Sequence, residues 1–338
     1  MIGMRNYLSV LLAVLLTSCT LRAAPATPTA TIALPTATVV IPTPLPTQTL
    51  APYEQYTIDY LSRRSYGGGS MEVVEKLEES DLFTSYSIRY PSDGLTIYGL
   101  MTVPKGNGPF PVIVSVHGYA PQGKYDVFNT TYDFVDFFAE NGFIVIHPGL
   151  RNHPPSDNGE NLLRVGMTID VMNLIALIKA PAALPVELAN ANTNLLGLWG
   201  TSMGGEIALR VITLSPDIKA TVLYSPLSGN EERNSRQLYE VLKDEQFQED
   251  AKVPLELLDR ISPMYYYHRV ASAVQINHGT SDTTAPISWA VETCEFLTSA
   301  GVSTQCIYYP GAKHAFNGEN NRKLRLNALQ FYQLHLAP

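Results

Sequence analysis

From residue 109 onward, unbroken apolar runs alternate with amphipathic ones, with glycine or proline punctuating most junctions. "PFPVIVSVHGYA", "FIVIHPG", "TNLLGLWG", "IKATVLYSP", "VASAVQINHG" and "STQCIYYPG" are apolar on successive residues, which predicts strands buried on both faces. Between them, "YDFVDFFAENG", "VGMTIDVMNLIALIKA", "GEIALRVITLS", "ISWAVETCEFLTSAG" and "RKLRLNALQFYQLHL" repeat their apolar residues at helical spacing. The first closes on a glycine cap and the second stops before a proline. Upstream, "DLFTSYSIRYP" and "GLTIYGLMTVP" read as two strands joined around "SDG", a turn signal. The preceding "EQYTIDYLSRRSYGGGSMEVVEKLEES" has no clear period. Strands alternating with helices predict an α/β fold, a mostly parallel central sheet with helices on both faces. Such sheets bind ligands outside the C-terminal ends of their strands. Polar residues just after strands are therefore the candidate chemistry.

The N-terminus breaks this pattern. "MIGMRNYLSVLLAVLLTSC" carries one Arg, then an apolar run too short to span a membrane, then small residues. Leu16-Thr17-Ser18-Cys19 resembles the lipobox of bacterial lipoproteins, in which cleavage occurs before a cysteine that receives lipid. The expectation is a signal peptide at 1–18 and lipidation at Cys19, with two or three acyl chains giving stable anchoring. Residues 19–52, rich in Pro and Thr, then form an extended tether. Residues 53–338 form the folded domain, extracytoplasmic and lipid-anchored to the bacterial cell membrane.

Composition narrows the chemistry. The chain has 338 residues, 45% of them hydrophobic, and a formal net charge of −8. An acidic chain without a long Lys/Arg run is not a nucleic-acid binder. With Cys19 lipidated, Cys294 and Cys306 remain, either bridging a helix to the next strand or buried as thiols. No His/Cys/Asp cluster has metal-ligand spacing and no Gly-rich phosphate loop follows a strand, so neither metal nor cofactor is expected.

Gly200-Thr201-Ser202-Met203-Gly204 fits G-x-S-x-G between a strand and a helix. Such a turn lifts the serine clear of the sheet at a helix N-terminus, where developing negative charge is favoured. A nucleophilic serine needs a base, and the base needs an orienter. Asp282 in "TSDTTAP" and His314 in "GAKHAFNG" both follow strands, in the chain order Ser, acid, His. Glu319 is the alternative orienter by proximity in sequence. The backbone N–H groups of Met203 and Tyr119 are the expected oxyanion donors. His117 and His278, each before a glycine, are read as loop-fixing residues. His147 and His153 flank a loop with access to substrate, and His268 and His335 fall in helical patterns.

"IRYPSDGLTIYGLMTVPKGNGPFPVIVSVHGY", "GTSMGGEIAL", "SPMYY", "INHGTSDTTAP" and "YYPGAKHAF" together resemble the catalytic domain of the prolyl oligopeptidase family. That group belongs to the α/β-hydrolase superfamily and shades into dienelactone-hydrolase-like and acetyl-xylan-esterase-like esterases. The resemblance covers about residues 84 to 337 and implies an α/β-hydrolase fold with Ser202 as nucleophile, Asp282 as orienter and His314 as base. The region before Thr84 is too short for the β-propeller of the large members, and "LRNHPPSD" replaces their Arg-Gly-x-Gly. Residues 226–260 are charged, helical in pattern and placed where this superfamily often carries a lid. The function implied is a serine hydrolase cleaving esters or amides of small molecules or short peptides. The competing readings are a carboxylesterase without peptidase activity and a non-catalytic binding lipoprotein.

Overall fold

The computed structural model describes residues 53–337, apart from 122–123, 129–132 and 244. The signal peptide at 1–18, the tether at 19–52 and Cys19 lie outside the described residues. Nine strands form one sheet: β1 (Glu72–Glu79), β2 (Phe83–Ser92), β3 (Leu95–Pro104), β4 (Phe110–Val116), β5 (Ile144–Pro148), β6 (Ala191–Thr201), β7 (Ile218–Tyr224), β8 (Ala273–Gly279) and β9 (Thr304–Tyr309). Their spatial order is β1-β2-β3-β5-β4-β6-β7-β8-β9. The sheet is antiparallel from β1 to β5 and parallel from β5 through β9. The β2–β3 hairpin turns at Asp93 and Gly94, both at positive φ (49° and 83°), as a turn matching the strand twist requires.

The helices are α1 (Ile58–Leu61), α2 (Asp133–Glu140), α3 (Val165–Ile178), α4 (Met203–Leu214), α5 (Glu231–Leu242), α6 (Glu245–Asp250), α7 (Leu255–Ile261), α8 (Ile287–Ser299) and α9 (Gly318–His335). Helices α3, α4 and α8 share one core with Val112 and Val114 of β4 and Leu196 and Leu198 of β6. Helices α2 and α9 share the other core with Ile113 and Trp199. Alternate residues of the same strand thus feed opposite cores, which is why these strands are apolar at every position.

Two features go beyond the sequence reading. Strand β1 comes from the stretch without a period; it pairs only with β2 and is exposed along nearly all its length. The segment 226–260 forms helices α5, α6 and α7, and the buried Leu238, Phe247 and Leu258 seat them on the domain. Cys294 of α8 and Cys306 of β9 are joined as a disulfide with a Cα–Cα separation of 6.4 Å.

Candidate active site

Strand β6 ends at Thr201 and α4 begins at Met203, so the chain must turn at the single residue between them. Ser202 makes that turn at φ 53° and ψ −116°, a conformation that costs ~1–3 kcal/mol and persists only when its surroundings enforce it. They do so by hydrogen bonds. Ser202 N donates to the Tyr224 carbonyl at 2.9 Å, and the Ser202 carbonyl accepts from Gly205 N at 2.9 Å and Leu227 N at 3.1 Å. Close packing adds to this: a Cβ on Gly204 would lie 2.2 Å from the Val116 carbonyl oxygen.

Asp282 follows β8 and His314 follows β9, so both reach the sheet edge where Ser202 sits. Ser202 Oγ donates to His314 Nε2 at 2.9 Å, and His314 Nδ1 donates to Asp282 Oδ2 at 2.7 Å. The other carboxylate oxygen accepts from Thr284 N at 2.9 Å and Ala285 N at 3.0 Å. Ser225 Oγ donates to the His314 carbonyl at 2.9 Å and steadies the His loop. The His314 side chain is 26% exposed, whereas that of Asp282 is fully covered. Burial alone would raise the Asp282 carboxyl. Hydrogen bonds from His278 and His314, the charge on His314 and the Ala285 N–H outweigh it and hold the carboxyl well below the usual range. Glu319, the alternative orienter, is exposed and pairs with Arg322 at 2.8 Å.

His278 has more to do than fix a loop. Its Nε2 lies 2.8 Å from the Ala285 carbonyl and 3.2 Å from Asp282 Oδ2. Both are acceptors, so Nε2 carries the proton. The clue in "HGTSD" is a four-residue spacing, which acquires meaning only once the turn brings the two side chains together.

The expected oxyanion donors flank the same corner. Met203 heads α4. Gly118 packs so tightly that a Cβ there would stand 3.2 Å from Ser202 Cβ, and Tyr119 is the next residue. The Tyr119 ring lies 5.5 Å from that of Phe247 in α6, so the helical segment covers the loop after β4. His117 Nδ1 donates to the Gly118 carbonyl at 2.7 Å, and His153 Nε2 donates to the Ala120 carbonyl at 3.2 Å. His147 accepts from Tyr125 OH at 2.7 Å and donates to Ser115 Oγ at 3.1 Å. His147 and His153 are buried and brace this loop. Burial, with nearby His153 and His147 adding to it, holds His117 down to about 3. Burial holds His147 down to about 4.

Beneath the site lies a buried charge cluster. Arg164 Nε donates to Glu206 Oε2 at 2.5 Å and Nη1 to Asp250 Oδ2 at 2.7 Å, while Nη2 reaches Glu231. Arg210 Nη2 pairs with Glu206 Oε1 at 2.8 Å and also with Glu231. Burial, and the charge of Glu206 next, push the Glu231 carboxyl well up, against the opposing pull of Arg164 and Arg210. Nothing in the spacing of these five residues reveals the cluster. Among the described residues, no group of three or more His, Cys, Asp and Glu is arranged to hold a metal ion.

Solved structures resemble this fold at low identity. Acetyl xylan esterase 1 from Thermoanaerobacterium sp. JW/SL YS485 matches at TM-score 0.60 and 17% identity, over 84% of this chain and 94% of that one. The Pyrococcus horikoshii acylaminoacyl peptidase matches at TM-score 0.61 and 19% identity, over 76% of this chain but 42% of the peptidase. A Mycobacterium tuberculosis puromycin-hydrolyzing peptidase matches at TM-score 0.58 and 20% identity, over 77% of this chain and 40% of that one. The chain thus spans less than half of the two peptidases. No curated protein matches the chain. The family model for the dienelactone hydrolase family matches residues 97–330, most of the folded domain. With its α/β-hydrolase sheet, this chain is a hydrolase that belongs to the dienelactone hydrolase family.

Proposed function

We propose that this chain cleaves ester or amide bonds of small molecules or short peptides through an acyl-enzyme formed on Ser202. The observation that carries the reading is the unbroken hydrogen-bond chain from Ser202 Oγ through His314 to Asp282. In this reading Ser202 Oγ attacks the scissile carbonyl carbon as its proton passes to His314 Nε2. The ionised Asp282 stabilises the imidazolium and keeps the ring in the tautomer that accepts from serine. The oxyanion meets the N–H groups of Met203 and Tyr119, where losing one such donor typically costs ~3 kcal/mol. His314 then protonates the departing alkoxide or amine, and water repeats the sequence on the acyl-enzyme.

The ester arm is favoured by coverage: the chain aligns along 94% of an esterase but 42% of an acylaminoacyl peptidase. A fluorophosphonate probe should label the wild-type protein and fail to label Ser202→Ala. A folded wild type that resists labelling would favour a non-catalytic binding protein and sink the enzyme mechanism. Turnover of p-nitrophenyl esters beside aminoacyl and prolyl p-nitroanilides separates carboxylesterase from peptidase. We also propose attachment to the membrane through lipid on Cys19. Cys19→Ser should leave the detergent phase on partitioning, and unchanged partitioning would count against it.

A further inference from the structure

Tyr119, the expected second oxyanion donor, lies between β4 and α2, outside any helix or strand. Its N–H therefore takes its direction from whatever grips the loop, and a donor aimed wrongly loses most of its hydrogen bond. The Tyr119 N–H shares a peptide unit with the Gly118 carbonyl. That unit is planar, and in the trans form its C=O and N–H point in opposite directions. His117 Nδ1 donates to the Gly118 carbonyl at 2.7 Å. Holding the oxygen thus aims the hydrogen. Donation to the carbonyl also polarises the unit and strengthens its N–H as a donor.

The same peptide lies against the nucleophile, since a Cβ on Gly118 would stand 3.2 Å from Ser202 Cβ. A second histidine, from the loop after β5, holds the chain on the far side of Tyr119: His153 Nε2 donates to the Ala120 carbonyl at 3.2 Å. The two histidines are themselves fixed. Both are buried, and their rings meet edge to face at 4.9 Å. The Tyr125 ring stacks on His117 at 4.3 Å and stands edge to face with His153 at 5.4 Å. His117 Nε2 lies 3.4 Å from the Gly149 carbonyl, so the shorter contact, at Nδ1, takes the single proton of a neutral ring. Burial keeps that ring neutral.

We propose that His117 and His153 are positioning residues for oxyanion binding, holding the Gly118–Tyr119 peptide so that its N–H faces the oxygen of the tetrahedral intermediate. The inference rests on the acyl-enzyme reading. It ties both histidines to the step in which the carbonyl oxygen gains charge, and not to the binding of the uncharged substrate. Their loss should therefore lower kcat and leave KM nearly unchanged.

Turnover by the full chain of a p-nitrophenyl ester, beside its thiono counterpart with sulfur in place of the carbonyl oxygen, tests this. Sulfur accepts hydrogen bonds weakly, so the thiono ester draws little on the oxyanion donors. Removing a whole donor of this kind costs about 10²- to 10³-fold in kcat, and a misaimed one should cost less. His117→Leu should lower kcat for the oxygen ester about ten- to a hundred-fold and the oxygen-to-thiono rate ratio about tenfold. His117→Asn still presents an N–H close to the place of Nδ1 and should recover most of both losses. His153→Leu leaves the His117 bond in place and should lower the ratio about threefold; it serves as the second variant if His117→Leu does not fold. The proposal is overturned if the folded variants keep the wild-type ratio, if KM rises while kcat holds, or if His117→Asn loses as much as His117→Leu. A wild type without ester turnover would overturn the acyl-enzyme reading and this one with it, whereas an active wild type whose variants keep its ratio overturns this one alone.

Discussion

A serine hydroxyl is a weak nucleophile until its proton has one defined destination, and in the proposed mechanism Asp282 sets that destination through the His314 tautomer. Asp282→Asn keeps the shape but favours the wrong tautomer. By analogy with the equivalent change in serine proteases, kcat for a p-nitrophenyl ester should fall by about 10⁴-fold with little change in stability. Glu319→Gln should leave kcat near wild type, since Glu319 serves Arg322. Near-wild-type turnover in the first variant and collapse in the second would reverse the assignment. His278 is a positioning residue one step further out, donating to the same carboxylate oxygen as His314. A lost hydrogen bond to a charged group is worth roughly 1.5–3 kcal/mol, so His278→Leu should lower kcat about ten- to a hundred-fold. His278→Gln can still donate at that place and should recover much of the loss with KM unchanged. Equal losses in the two variants would assign His278 a purely packing role. At this scale the triad was legible because strand ends and chain order restrict the candidates. The role of His278 was not, because it depends on how the turn between residues 279 and 285 folds back.

Between elements, the five-residue charge cluster joins the start of α3 to α4, α5 and α6. All its side chains are buried, so their desolvation is recovered only while every partner is present. Removing Arg164 strands carboxylates in the interior, and Arg164→Met should cost about 3–5 kcal/mol of stability. Burial already disfavours the charged form of Glu231, and a glutamine keeps its shape and an oxygen that can accept from the arginines, so Glu231→Gln should cost less, about 1 kcal/mol. Denaturant melts of both variants check this pair, and equal losses would show that the cluster needs the Glu231 carboxylate as much as it needs Arg164. The helical segment thus sits on α4 through buried charge, although a charged helical pattern alone fits an exposed face equally well. Hydropathy cannot make that distinction, because a charged residue reads the same whether it faces water or a buried partner.

For the whole molecule, pH should act through the buried histidines. His117 and His147 ionise in the unfolded chain near the ordinary value of 6.5, but in the fold only near about 3 and 4. Between those values the unfolded state binds more protons, so their contribution to stability is lost as pH falls below 6.5. At pH 5 each should cost about 2 kcal/mol relative to neutral pH. Glu231 acts in the opposite sense: its raised carboxyl favours the fold below its own titration, and that contribution is lost as pH rises. A difference measurement separates the two. Between pH 7 and pH 5, a His117→Gln, His147→Gln double variant should lose about 4 kcal/mol less than the wild type. Parallel pH dependence in the two proteins would show that the histidines titrate normally in the fold.

The sequence by itself determined the parallel strands, the helices between them and the serine corner, because buried strands and amphipathic helices write their periods into residue order. It also pointed to Ser202, Asp282 and His314 as neighbours, because the parallel strands β4 to β9 end on one edge of the sheet. Tertiary structure decided what depends on partners distant in the chain. Strand β1 exists through its pairing with β2, since an exposed edge strand needs no apolar alternation. The Cys294–Cys306 bridge, left open by composition, required α8 to lie against β9. His147 and His153 became buried braces, and Arg164 found three carboxylates from three other helices. In each case the deciding quantity is burial together with a partner, and neither is a property of neighbouring residues.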